Sequence, residues 1–294
     1  MQPAELPEAF VMPDGAYLPY RRWLPDAEPR AVLLAIHGFN DSRDAWEIPA
    51  PDWAAQGIAV YAPDMRGFGA APGRGLWAGG QAMAADIAAM THLLRARHPH
   101  ARLVIMGESM GGALVMLAAV DQQADADAYV LSSPAVWSRS RMNWAMQAGL
   151  WLAATLVPGL AVGRGPVRIR PSDNDDALRR LSRNPLTILK TRFDTLRGLV
   201  DLMDTALAAA PRFTRSGLFL YGAHDALIPA EATAKLWHTL PDSALRALYP
   251  LGFHLLTRDL NRRFPIVDIA AFVLHATPPE QAMLAGVEWL AAQG

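Results

Sequence analysis

The chain of 294 residues contains no cysteine. That excludes disulfides, thiolate metal sites, iron–sulfur clusters and a cysteine nucleophile. It also fits a reducing compartment, so the expected location is cytoplasmic. Lysine is nearly absent: Lys190 and Lys235 are the only two among 27 basic residues. The rest are arginines, which we read as compositional bias rather than phosphate chemistry. Against 28 acidic residues the formal net charge is −1. No run of like charges forms a tail, and the balance offers no basic face, so no nucleic-acid partner is expected. Residues 1–10 carry two glutamates, no basic residue and no apolar core, and do not read as a secretory signal. No HExxH, EF-hand or P-loop sequence occurs, and no metal site is expected.

Hydrophobic residues make up 52% of the chain and charged residues 19%, which rules out wholesale disorder. A chain of this length can bury about 75% of the surface exposed when it is unfolded. Short apolar runs at 31–36, 57–62, 103–106, 128–132, 218–221 and 244–248 read as buried strands. Between them, helical spacing recurs: residues 79–98 place Met83, Ile87, Met90, Leu93 and Leu94 at helical intervals before Pro99. Residues 113–120, 230–240 and 279–292 read as further helices. Strands alternating with helices give an α/β fold, a mostly parallel, doubly wound sheet covered on both faces. Residues 16–22 would add an antiparallel edge.

Residues 134–213 interrupt this alternation. They read as helical, punctuated by Pro158, Pro166, Pro171 and Pro185, and as an insertion above the sheet. The expected organisation is therefore a core over 1–133 and 214–294, with a helical insertion over 134–213. Within it, residues 144–163 carry no formal charge over 20 positions, long enough for a membrane span. A span there would put strands of one sheet on opposite sides of a bilayer, so a helix above the core is the better reading, and a candidate for contact with lipid or an acyl chain.

Gly107-Glu108-Ser109-Met110-Gly111 is a G-x-S-x-G sequence between an apolar strand and an apolar helix, the context in which a sharp turn lifts a serine oxygen out of a sheet. Ser109 is the candidate nucleophile. A serine hydroxyl needs a base, and His254, in a loop after the run at 244–248, is the best placed of the eight histidines. His37, at a strand end, reads as a loop-holding residue and His224 as a rim residue. A carboxylate must orient the base. Asp225 follows the run at 218–221; Asp201 and Asp204 fall in the insertion and rank lower. The order Ser, Asp, His belongs to one particular fold. The oxyanion would be held by the backbone N–H of Met110 and by one from His37-Gly38-Phe39-Asn40, with Phe39 preferred over Asn40. Trp137, Trp144 and Trp151 are spaced by seven and share a face if the stretch is one continuous helix; they are candidates for lining an acyl pocket or for simple packing.

Together with Asp64-Met65-Arg66-Gly67-Phe68-Gly69, Gly222-Ala223-His224-Asp225 and Gly252-Phe253-His254, these motifs resemble an α/β-hydrolase, with closest likeness to the monoacylglycerol lipase and lysophospholipase group. Leu181-Ser182-Arg183-Asn184-Pro185 is similar to a segment of that group's cap. The resemblance covers about residues 15–290. It implies a helical cap over the site, no cofactor, and hydrolysis of a small-molecule acyl ester by the Ser109–His254–Asp225 triad through an acyl-enzyme. Ala70-Ala71 departs from the pattern, where relatives often carry serine, and loosens the substrate assignment. Two other classes stay open: thioester, amide or carbon–carbon bond hydrolysis on the same fold, and a non-catalytic ligand binder on this scaffold.

Overall fold

The computed structural model describes residues 8–137, 139, 142–163 and 169–293; residues 1–7 and Pro166, both read above, lie outside them. Two strands open the chain, β1 (Ala9–Val11) and β2 (Tyr17–Trp23), paired antiparallel. The apolar runs then form the parallel sheet: β3 (Ala31–Ile36), β4 (Ile58–Pro63), β5 (Arg102–Glu108) and β6 (Ala128–Ser132). β3 is buried at every position. Its alternate side chains serve two cores, with Val32, Leu34 and Ile36 on one face and Ala31, Leu33 and Ala35 on the other. This is why such strands read as unbroken apolar runs rather than alternating ones.

Helices fill the crossovers. α1 (Ala50–Ala55) covers one face, and α2 (Gly80–Arg97) and α3 (Met110–Val120) cover the other. α2 forms because Met83, Ile87, Met90 and Leu94 fall on one stripe that the sheet buries, and it ends at His98 before Pro99. After β6 the chain leaves the sheet. This segment carries α4 (Trp144–Leu156), a two-residue antiparallel ladder of β7 (Ala161–Val162) and β8 (Thr191–Arg192), α5 (Asp175–Arg183) and α6 (Phe193–Ala209). α6 lays Val200, Met203, Ala206 and Leu207 into the core shared with α3. The uncharged stretch from 144 is broken after Leu156, and no helix among the described residues is long and apolar enough to cross a membrane.

The chain re-enters the sheet at β9 (Gly217–Gly222), then α7 (Ala230–Thr239), β10 (Leu245–Tyr249), α8 (Arg263–His275) and α9 (Glu280–Ala291). The sheet order is β1-β2-β4-β3-β5-β6-β9-β10, parallel from β4 onward with β2 antiparallel to β4. α8 has no counterpart in the sequence reading. Pro265 inside Arg263–His275 looks like a breaker, yet it occupies the first helical turn, where its missing N–H has no intrahelical partner to lose. α8 packs Ile266, Ile269 and Phe272 under the sheet, and Trp53 of α1 donates to the Ile266 carbonyl at 3.0 Å.

Candidate active site

In an open parallel sheet, loops at the carboxyl ends of the strands gather on one side. The loops after β3, β5, β9 and β10 carry Phe39, Ser109, Asp225 and His254. The sheet order sets β3 beside β5, and β9 beside β10.

Ser109 is the sole residue between β5 and α3, at φ 56° and ψ −117°. A non-glycine side chain in that region is strained by about 1–3 kcal/mol. The surroundings hold it there: its N–H donates to the Ser132 carbonyl at 2.9 Å, and its own carbonyl accepts from Ala113 at 3.1 Å and Ala135 at 2.9 Å. The turn needs glycine on both sides. A Cβ on Gly107 would lie 2.3 Å from the Gly111 carbonyl, and one on Gly111 would lie 2.3 Å from the Ile36 carbonyl oxygen. So β5, α3 and the end of β3 touch backbone to backbone at the elbow.

His254 is 3% exposed. Its Nδ1 lies 2.8 Å from Asp225 Oδ2, which makes Nδ1–H the donor and leaves Nε2 as the basic atom. Asp225 is itself fixed, since its Oδ1 accepts from the Leu227 and Ile228 amides at 2.8 and 3.0 Å. Burial works against charge on His254. The Asp225 charge and hydrogen bond, with a smaller contribution from Glu108, outweigh it, so the imidazole sits above its ordinary value.

Met110 opens α3, and its N–H is one of the first-turn donors without an intrahelical partner, at the positive end of the helix dipole. The β3 loop approaches from the other side: a Cβ on Gly38 would lie 3.5 Å from Ser109 Cβ. Phe39 packs edge-on against Phe68 at 5.6 Å. Asn40, at φ 61°, ties this loop to the β6–β9 segment, with Nδ2 donating to Thr191 Oγ1 at 2.6 Å and its carbonyl accepting from Ile188 at 2.9 Å. His37 holds the loop base, donating from Nδ1 to the Gly38 carbonyl at 2.8 Å and accepting the Met65 N–H on Nε2 at 3.0 Å. The Asp64 motif serves the same scaffold: its buried carboxylate accepts from the Arg43 and Ala70 amides.

The other sequence candidates fall elsewhere. Exposed His224 stacks on Phe253 at 5.3 Å. Asp201 and Asp204 lie on α6, paired with Arg139. The tryptophan stripe divides. α4 begins at Trp144, capped by the Asn143 side chain, so Trp137 lies before the helix and packs against the core, while Trp144 and Trp151 stand out at 82% and 57% exposure. The three share no single helical face. Among the described residues, no group of three or more histidine, aspartate or glutamate side chains could hold a metal ion.

Residues 27–261 match the sequence family described as serine aminopeptidase, S33. The chain belongs to that family. Its fold is that of an α/β-hydrolase. The monoacylglycerol lipase of Mycolicibacterium smegmatis is 24% identical over 279 residues, covering 90% of this chain and 96% of that one. The monoglyceride lipase of Rattus norvegicus is 26% identical, covering 90% and 87%. Among solved structures, a soluble variant of monoglyceride lipase from Saccharomyces cerevisiae, in complex with a substrate analogue, superposes with a TM-score of 0.76 at 19% identity, covering 93% of this chain and 96% of that one.

Sequence reasoning on this α/β-hydrolase missed a group of buried charges beside the elbow. Glu108, Asp41 and Arg258 are all buried, and Arg258 pairs with both carboxylates. Burial pushes the Glu108 carboxyl up, opposed by the Arg258 charge. Asp259 is pushed up to about 6, again mainly by burial, while accepting from Ser172 Oγ at 2.6 Å and the Phe253 N–H at 2.7 Å. The available signal was proximity in sequence: Glu108 precedes the nucleophile, and Arg258 and Asp259 follow the histidine within five positions.

Proposed function

We propose that this hydrolase cleaves the acyl ester of a monoacylglycerol or lysophospholipid-like substrate by a Ser109–His254–Asp225 relay. The single observation that carries this reading is the buried His254–Asp225 pair at 2.8 Å, on a loop at the same sheet edge as a strained serine at the head of α3. A buried imidazole with Nδ1 committed to a carboxylate presents Nε2 as a base of fixed tautomer. The chain is a carboxylic ester hydrolase.

Ser109 Oγ attacks the ester carbonyl while His254 Nε2 takes its proton. The N–H groups of Met110 and Phe39 stabilise the tetrahedral oxyanion. The imidazolium, held by Asp225, returns the proton to the leaving alkoxide, and the alcohol departs. Water, deprotonated by the same nitrogen, then attacks the acyl-enzyme and releases the acid. Residues 134–213 act as the cap over this site, and exposed Trp144, Trp151, Leu152 and Leu156 of α4 give it a surface suited to a lipid interface.

The test is fatty-acid release from a monoacylglycerol, wild type beside Ser109→Ala. Release by wild type and a loss of several powers of ten in the variant are expected. Full activity in Ser109→Ala would overturn the nucleophile. No release by wild type, together with turnover of a thioester or amide, would overturn the substrate class.

A further inference from the structure

The geometry points to Arg258 as a positioning residue that locks the oxyanion loop, the nucleophile elbow and the histidine loop into one register. This rests on the serine-hydrolase reading above and names a residue that the reading does not use.

Arg258 lies four positions after His254 and is 5% exposed. Its Nη1 donates to Asp41 Oδ2 at 2.7 Å, and its Nη2 donates to Glu108 Oε1. Asp41 follows Phe39 by two residues, and its other oxygen accepts the Ser42 N–H at 2.8 Å, fixing the β3 loop. Glu108 immediately precedes Ser109 and is 1% exposed. The point where a Cβ on Gly38 would sit is 3.7 Å from Glu108 Oε1, so the β3 loop lies beside the end of β5. One planar guanidinium therefore spans all three loops that would carry the reacting groups and the oxyanion donor. Lysine, a point charge, lacks the fork needed for this.

Two further observations separate this device from ordinary stabilisation. Among the described residues Arg258 Nε is buried without a partner, and Asp41 and Glu108 are the side chains that hold the guanidinium. A buried ion cluster with an unsatisfied donor is a poor source of stability, because desolvation offsets most of the attraction. The backbone of Arg258 is also held: its N–H donates to the Leu255 carbonyl at 2.8 Å, and its carbonyl accepts from Asn174 Nδ2 at 2.8 Å. The side chain thus reaches the two carboxylates from a fixed base. Its charge has a second role. Glu108 adjoins the position where negative charge grows on the oxyanion, and Arg258 offsets a carboxylate that would oppose it.

The experiment measures the rate at which a small fluorophosphonate labels Ser109, per folded site, in wild type, Arg258→Ala and Arg258→Lys, with thermal melts alongside. Labelling needs no knowledge of the natural ester. Arg258→Ala is expected to label about tenfold to hundredfold more slowly per folded site, the cost of misplacing groups by about 1 Å. Arg258→Lys should remain slow. Arg258 borders a cleft of about 760 Å³ between residues 43–48 and α5, so millimolar methylguanidinium should enter and restore part of the Arg258→Ala rate. If Arg258→Ala fails to fold, the pair Asp41→Asn and Asp41→Ala carries the test: the asparagine keeps an acceptor oxygen and should label faster. A wild-type rate per folded site in Arg258→Ala, or equal rates for the two Asp41 variants, would overturn the inference. Labelling of wild type without monoacylglycerol turnover would remove only the substrate class. Absence of labelling in wild type would overturn the serine-hydrolase reading and this inference together.

Discussion

α3 and α4 are written in nearly the same letters. MGGALVMLAAV and WAMQAGLWLAATL are both uncharged and rich in alanine and leucine. Yet residues 110–119 of α3 are all buried, and no residue of α4 is. The difference lies in what each helix meets. α3 is enclosed by β5, β6, α2 and α6, whereas among the described elements α4 packs mainly on α6. Apolar content therefore reports only that a helix avoids charge. In α3 it fills the space behind the nucleophile. In α4 it leaves an apolar surface facing outward.

The sharpest way to break this comparison is to truncate leucines on the two helices. Leu117→Ala in α3 is expected to cost about 2–5 kcal/mol, because a buried side chain leaves a cavity. Leu156→Ala in α4 should stay within about 0.5 kcal/mol. Urea titrations followed by circular dichroism check both; equal losses would mean that α4 is covered in solution. The next effect is on lipid. A Trp144→Ala/Trp151→Ala variant should melt like wild type but bind phosphatidylcholine vesicles about tenfold more weakly, the equivalent of about 1.4 kcal/mol. Co-sedimentation measures it, and unchanged binding would leave the exposed tryptophans without a lipid role. The smallest effect is a shift in pH dependence on the buried side. His254 must be neutral to accept a proton, and its value is raised by Asp225 and Glu108. Activity should therefore rise with pH through a midpoint above 6.5, the ordinary value for histidine. In Glu108→Gln that midpoint should move down, read from kcat/KM on a soluble short-chain ester.

The central sheet was legible because β3, β4, β6 and β9 are buried at every position, which leaves a run such as AVLLAI with no other easy reading. The proposed triad and elbow were legible because Ser109, Asp225 and His254 each follow such a run. What escaped had conflicting local signals. Pro265 disguised the start of α8. The tryptophan spacing of seven assumed one helix, but the structure starts α4 at Trp144 and leaves Trp137 against the core. Arg258 was invisible for a more general reason. A lone arginine in a loop reads as solvated surface, and only the meeting of three loops distant in sequence shows that its partners are Asp41 and Glu108.

The backbone of Ser109, at φ 56° and ψ −117°, is close to the mirror image of an ordinary extended residue, a conformation glycine adopts without penalty. At this one position, natural drift toward foldability and selection for turnover pull in opposite directions. A library sorted for heat resistance alone would enrich glycine at 109 and discard the nucleophile. Any programme that hardens this protein must therefore score turnover in the same round as melting, or it will converge on an inert scaffold.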